Sequence, residues 1–301
     1  MRRPYSFLPI FLAFSTSFGH AAQPQEVVFD SLDGTALKAW VFQPTDHSKA
    51  DIAKPKRGTV VAFHGCGGLY ATGGARKGEL NSRHQAMADL LVEQGYNVVF
   101  PDSLTPRGET SICVQAIGSR NITQKERRAD ALATLAWVAQ QPWADAGRIA
   151  ALGWSHGGSA VLAATDAQQK DVKEQQLKSK ISFKTAVAFY PGCAESRKND
   201  YRPNAPLTLF LGADDDWTPP IPCIELAKQL QAETYPDKYA VELNVYEGAV
   251  HDFDNPVGTV VERKNIPSRL HPGQGVKAGA NPAARQKAYT RLKEILKLSL
   301  E

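Results

Sequence analysis

Ser155 stands between two glycines in Gly153-Trp154-Ser155-His156-Gly157, directly after the apolar run Arg148-Ile149-Ala150-Ala151-Leu152 and before the small residues Gly158-Ser159-Ala160. A buried strand, a serine with a glycine two residues away on each side, and the start of a helix form the pattern of a nucleophile elbow. The turn is cramped, and the glycines leave room for backbones to pass. It lifts the hydroxyl above a sheet and aims a helix N-terminus at it. Free N–H groups and partial positive charge at that end suit a developing oxyanion. A serine hydroxyl alone is a poor nucleophile, so the chemistry also needs a base and a group that orients the base.

Both follow in a usable order. Leu207-Thr208-Leu209-Phe210-Leu211 is an apolar run of strand length that ends at Gly212, with Asp214, Asp215 and Asp216 just beyond it. Ala240-Val241-Glu242-Leu243-Asn244-Val245 reads as a further strand, and His251 comes early in the loop after it. Ser155 is therefore expected to be the nucleophile and His251 the base that takes its proton and returns it to the leaving group. A carboxylate would hold the imidazole tautomer and stabilise the imidazolium. By position alone several aspartates compete, since loop carboxylates also serve as solvated turn residues. His271 competes with His251 but lies in a Pro/Gly-rich loop after no strand.

A second oxyanion donor is expected from His64-Gly65-Cys66-Gly67-Gly68, which follows the apolar run Thr59-Val60-Val61-Ala62-Phe63. Glycines let the backbone approach a substrate. The N–H of Gly65 or Cys66 would act together with that of His156. The alternative is a Gly-rich turn with no ligand. His64 reads as a structural residue that orients the loop. No pair among His64, His156 and His251 has metal-ligand spacing, so neither a metal nor a cofactor is expected.

Eight strands must position these groups, near 26–30, 36–43, 58–63, 96–100, 148–153, 184–190, 207–212 and 240–245. Asp33-Gly34 is a hairpin signal between the first two. From the third strand on, apolar runs alternate with helical patterns. Residues 83–94 and 127–140 are amphipathic, the latter burying Ala131, Leu135 and Val138. Asn281-Pro282 opens a terminal helix with Tyr289, Leu292, Ile295 and Leu296 on its apolar side. Such alternation implies an α/β fold: a mostly parallel sheet with helices on both faces. Residues 166–180 read as an exposed helix extension and 255–281 as a long irregular loop. With a net charge of only +4 and no basic stripe, nucleic acid binding has no support.

The segments Gly-Trp-Ser-His-Gly-Gly at 153–158, Gly-x-x-Asp with Trp-Thr-Pro at 212–219, and Tyr-Glu-Gly-Ala-Val-His-Asp-Phe at 246–253 resemble the dienelactone hydrolase family. The resemblance implies an α/β-hydrolase fold without a large lid, hydrolysis of esters or lactones, and Asp215 as the carboxylate. Two departures point to a serine-nucleophile branch. Members that open dienelactones use Cys where this chain has Ser155, and carry Glu where it has His64. The family also has an Arg after the fourth strand that can bind a substrate carboxylate. Arg107 stands one residue out of that register and is the corresponding candidate. Trp154 and Trp217 are candidates for apolar pocket walls.

At the N-terminus, Arg2 and Arg3, the apolar run at 7–14 and Gly19-His20-Ala21 have the charge, core and small-x-small pattern of a signal peptide over residues 1–21. Cleavage would leave one domain over 22–301, exported to the periplasm or beyond, without a membrane anchor. In an oxidising compartment four cysteines suggest two disulfides. Three pairings are possible. In a sheet of this kind Cys66 and Cys113 lie on adjacent loops, as do Cys193 and Cys223, and these are the favoured pairs. The expected partner is a small-molecule ester or lactone. A short-peptide serine peptidase and a non-catalytic exported binding protein are the alternatives.

Overall fold

The structure is a computed structural model that describes residues 24–44, 56–115, 117–234, 238–266, 268 and 270–301. The segment 1–21, expected to be a signal peptide, lies outside the described residues. β1 (Gln25–Asp30) and β2 (Ala36–Phe42) form a hairpin. There follow β3 (Arg57–Phe63), α1 (Ser82–Glu93), β4 (Asn97–Asp102), α2 (Gln124–Ala139), β5 (Ala144–Trp154) and α3 (His156–Ala164). Next come α4 (Lys170–Ser179), β6 (Thr185–Phe189), α5 (Ala194–Lys198), β7 (Leu207–Gly212), α6 (Ile221–Ala232) and β8 (Val241–Tyr246). The chain ends with β9 (Val261–Arg263), β10 (Val276–Ala278) and α7 (Pro282–Leu300).

Eight strands make one sheet in the order β1-β2-β4-β3-β5-β6-β7-β8. β1 and β2 are antiparallel to their neighbours, and β3 to β8 run parallel. The chain goes from β3 outward to β4 and then back across to β5 on the other side. Right-handed crossovers in opposite directions place their helices on opposite faces. Accordingly Met87 and Leu91 of α1 pack in one apolar layer with Leu292 and Leu296 of α7. Ala131 and Leu135 of α2 pack in the other with Val161 of α3 and Leu226 of α6. The two-residue period of β3 divides its side chains between them: Val60 and Ala62 face the first layer, Val61 and Phe63 the second. Where strand order reverses, the carboxyl ends of β3 and β5 open a crevice, the usual place for a ligand in such sheets.

Helix starts follow local rules. Asn81 caps α1 by accepting from the His84 N–H, and Asn281 caps α7 by accepting from the Ala284 N–H with Pro282 at the first helical position. Thr123 and Glu126 form a reciprocal capping box on α2.

Two expectations are corrected. Residues 166–180 do not extend the preceding helix. Thr165 ends α3, its hydroxyl bonded to the Val161 carbonyl and to the Tyr201 hydroxyl, and α4 starts separately. Nor is 255–281 wholly irregular, because β9 and β10 pair within it as an antiparallel ribbon. No helix among the described residues is long and apolar enough to cross a membrane.

Candidate active site

The turn between β5 and α3 puts Ser155 at φ 53°, ψ −117°, a conformation costly for any residue with a side chain. Steric closeness explains the glycines around it. A Cβ at Gly153 would lie 2.2 Å from the Gly157 carbonyl oxygen, and one at Gly157 would lie 2.0 Å from that of Phe63. The Ser155 N–H bonds to the Phe189 carbonyl at 2.9 Å, which fastens the turn to β6.

Asp215 lies just past the end of β7. Its Oδ1 accepts from the backbone N–H groups of Trp217 at 2.9 Å and Thr218 at 2.8 Å. The carboxylate is thereby oriented before any other partner is considered, and its Oδ2 meets His251 Nδ1 at 2.8 Å. A Cβ at Gly212 would come within 2.4 Å of the Ala249 carbonyl oxygen, so the end of β7 and the histidine loop touch backbone to backbone. The Thr218 hydroxyl adds contacts of 2.9 Å to Asp215 Oδ2, 3.0 Å to His251 Nδ1 and 3.0 Å to the Tyr190 carbonyl.

The His251 ring is buried between aromatic neighbours, its centroid 4.6 Å from both Tyr190 and Trp217. Burial works against the charged imidazolium, yet the charge and hydrogen bond of Asp215, helped by Asp252, outweigh it and raise the pKa above the ordinary 6.5. The Asp215 bond also assigns the tautomer with the proton on Nδ1, leaving Nε2 free to accept.

Ser155 and His251 line the same cavity, of about 240 Å³, with Gly65 and Cys66 on another wall. The loop carrying these two is held from several sides. Cys66 is joined to Cys113, with S–S 2.04 Å, and the Ile112 N–H bonds to the Cys66 carbonyl at 2.9 Å. Gly65 packs against the elbow, where a Cβ would sit 3.4 Å from the Trp154 carbonyl oxygen. His64 is fully buried behind the loop. Its Nε2 accepts from the Ser103 N–H at 3.2 Å, Nδ1 lies 2.8 Å from the Gly65 carbonyl, and Arg127 reaches the His64 carbonyl at 2.7 Å. Burial and the Arg127 charge hold its pKa well below 6.5. His156 is the first residue of α3, where burial and Arg127 likewise depress its pKa. The second disulfide joins Cys193 to Cys223.

Other candidates are placed elsewhere. Arg107 does not line the cavity. It is paired at 2.7 Å with both Asp33 and Asp130, the second fully buried and in need of a cation. Trp154 is not a pocket wall either. It is wholly buried, and its indole N–H bonds to Asp254 Oδ2 at 2.8 Å. Trp217 does line the cavity. Asp216 is engaged by the Lys277 N–H at 2.8 Å.

Two arginines that sequence reasoning missed also line the cavity. Arg83 bonds Asp252 at 2.7 Å, and Arg263 lies over the Trp217 ring at 5.5 Å. Arg83 gave no signal, as one charged residue in the first turn of an amphipathic helix. Asp252 and Asp254 were visible as carboxylates next to His251, but nothing in the pattern tied them to Arg83. Among the described residues, no group of three or more acidic, His or Cys side chains could hold a metal ion.

Comparison with known proteins adds to this geometry. The sequence model of the dienelactone hydrolase family matches residues 50–300. No curated protein matches the sequence. A dienelactone hydrolase-like promiscuous phosphotriesterase from metagenomic libraries is similar in structure, with TM-score 0.64 and 19% identity over 94% of this chain and 100% of that one. A thermophilic esterase from Thermogutta terrifontis gives TM-score 0.58 and 20% identity over 91% of this chain and 92% of that one. A putative dienelactone hydrolase from Klebsiella pneumoniae gives TM-score 0.58 and 16% identity over 91% and 99%. At these identities the likeness is one of fold.

Proposed function

The chain belongs to the dienelactone hydrolase family, and from that membership we propose that it is an exported serine hydrolase that cleaves small carboxylic esters or lactones through an acyl-enzyme. One observation carries the reading: an Asp215–His251 pair at 2.8 Å borders the cavity that Ser155 also lines from a strained turn.

The Ser155 hydroxyl attacks the acyl carbonyl while His251 Nε2 takes its proton. The new C–O bond places negative charge on the carbonyl oxygen, which the N–H groups of His156 and of Gly65 or Cys66 stabilise. Collapse expels the alkoxide, and His251 returns the proton to it. Water, deprotonated by the same nitrogen, then attacks the acyl-serine, and the acid leaves as Ser155 regains its hydrogen. Asp215 stays ionised throughout and stabilises the imidazolium. The disulfides and the N-terminal charge pattern support export.

The test uses the mature, oxidised protein on a panel of aryl esters, lactones and fluorogenic dipeptides. Ester or lactone turnover should exceed dipeptide turnover. Ser155→Ala should lower kcat by about 10⁶-fold and abolish fluorophosphonate labelling. Near-normal ester turnover by the alanine variant would overturn the assignment. A wild type that ignores the probe and every ester would favour a binding protein.

A further inference from the structure

Asp254 lies three residues past His251 and is fully buried. Three hydrogen-bond donors converge on its two oxygens, and one arginine pairs with it by charge. The Trp154 indole N–H reaches Oδ2 at 2.8 Å and the Tyr289 hydroxyl reaches it at 3.2 Å. The Tyr190 hydroxyl reaches Oδ1 at 2.5 Å, and Arg83 Nε lies 3.4 Å from the same oxygen. A buried carboxylate without partners would be strongly destabilising, so this one is retained because its lone pairs are satisfied.

The partners come from four places in the chain. Trp154 is the last residue of β5 and immediately precedes Ser155. Tyr190 follows β6, packs its ring 4.6 Å from that of His251 and receives the Thr218 hydroxyl on its carbonyl. Tyr289 lies on α7 and Arg83 on α1. Arg83 also grips Asp252, the residue next to His251. Tyr190 at φ 37° and Asp252 at φ 64° both hold left-handed backbone, which persists only where the surroundings enforce it.

We infer that Asp254 is a positioning residue: by tying down Trp154 and Tyr190 together, it sets the Ser155 turn and the His251 ring relative to each other. The inference rests on the roles proposed for Ser155 and His251. A scaffold role alone would weigh all partners of Asp254 alike. A positioning role weighs Tyr190, which touches the imidazole, above Tyr289, which makes the same kind of bond from a helix carrying no reacting group.

The experiment compares Tyr190→Phe, Tyr289→Phe and Asp254→Asn in the full mature protein. It reads kcat and KM on one aryl ester, the melting temperature, and the downfield proton NMR resonance of the His251 Nδ1–H. Asp254→Asn sets an amide donor among donors and should lower kcat by about 10²-fold, as small misplacements of reacting groups do, with KM changed by less than about threefold. Tyr190→Phe should lower kcat by about tenfold and move the imidazole proton resonance. Tyr289→Phe should lower the melting temperature comparably and leave kcat and the resonance near wild type. If Asp254→Asn does not fold, the two tyrosine variants decide the matter. Equal effects of both on kcat, or a resonance that neither moves, would overturn the positioning role. Failure of the site reading is separately visible as a wild type that neither turns over esters nor labels at Ser155. In that case the resonance still reports whether Asp254 positions His251.

Discussion

Two segments border the same cavity and are fastened to the rest of the chain by different means. The elbow at 153–158 is fixed by backbones in van der Waals contact, leaving at Gly153 and Gly157 no space for even one carbon. Backbones also touch within the strap at 255–279, where a Cβ at Gly279 would lie 2.4 Å from the Thr259 carbonyl oxygen, but among its described residues the ties to the rest of the chain are long-range hydrogen bonds and buried anchors. The Lys277 N–H bonds to Asp216, the Gly279 N–H to the His251 carbonyl at 2.9 Å, and Ile266, Val276 and Ala278 are its buried anchors. Val257, Val260 and Val261 of the strap stay exposed. A nucleophile tolerates little displacement, whereas a wall that meets the substrate's periphery can be adjusted. On the proposed roles, the segment nearest the chemistry is the one with the tightest steric specification.

This contrast can be broken at several points. The largest effect is expected at the serine itself, where loss of the hydroxyl removes about 10⁶ in turnover without disturbing the elbow. Melting of Ser155→Ala near the wild-type temperature would show that the turn is held by its glycines. Gly157→Ala attacks those glycines. A methyl group 2.0 Å from the Phe63 carbonyl oxygen must push β3 and α3 apart, at more than about 4 kcal/mol. A folded, active Gly157→Ala would refute the steric account. Cys66→Ser with Cys113→Ser should cost up to about 4 kcal/mol by chain entropy, and activity should fall further than in a Cys193/Cys223 double variant, because only the first pair braces the loop of Gly65 and Cys66 that is proposed to hold the oxyanion.

Smaller effects concern the base and the strap. Only neutral His251 accepts a proton, and its pKa is raised. The ratio kcat/KM should therefore rise with pH through a midpoint above 6.5. Asp252→Asn removes an anion that favours the imidazolium and one of the two carboxylates paired with Arg83, whose charge opposes it, so the midpoint should move down. An upward shift would contradict this sign. Asp216→Ala leaves the Lys277 N–H without its acceptor, a loss of about 1–3 kcal/mol. Limited proteolysis should then cut first within 255–279, with KM raised and kcat within about twofold of wild type if the strap only borders the substrate.

Legibility followed the same division. The strand ends and the spacing of Ser155, Asp215 and His251 were readable, because each obeys a local rule about apolar runs, turns and glycine. Asp215 over Asp216 came from a family pattern. The structural distinction is that Asp215 meets the imidazole while Asp216 receives the strap. Arg107 was a candidate on a family register it misses by one residue, with an Arg bracing the loop as the alternative; the structure gives it to Asp130 and the Ser103 carbonyl, partners that no register encodes. Trp154 was misread because its indole nitrogen finds Asp254, one hundred residues away. The ribbon at β9 and β10 escaped detection because three-residue strands carry no periodicity and are defined only by their pairing with each other.

The amino-acid sequence alone pointed to the eight strands of the main sheet, the turn at Ser155 and the loops that carry Asp215 and His251. Those features depend on side-chain size and backbone freedom within a few residues of one another. Tertiary structure decided which buried charges pair, which aromatic rings face the cavity and where the strap is fastened. These outcomes depend on partners distant in sequence, and a buried charge takes whichever counterion packing brings nearest, which no local pattern encodes.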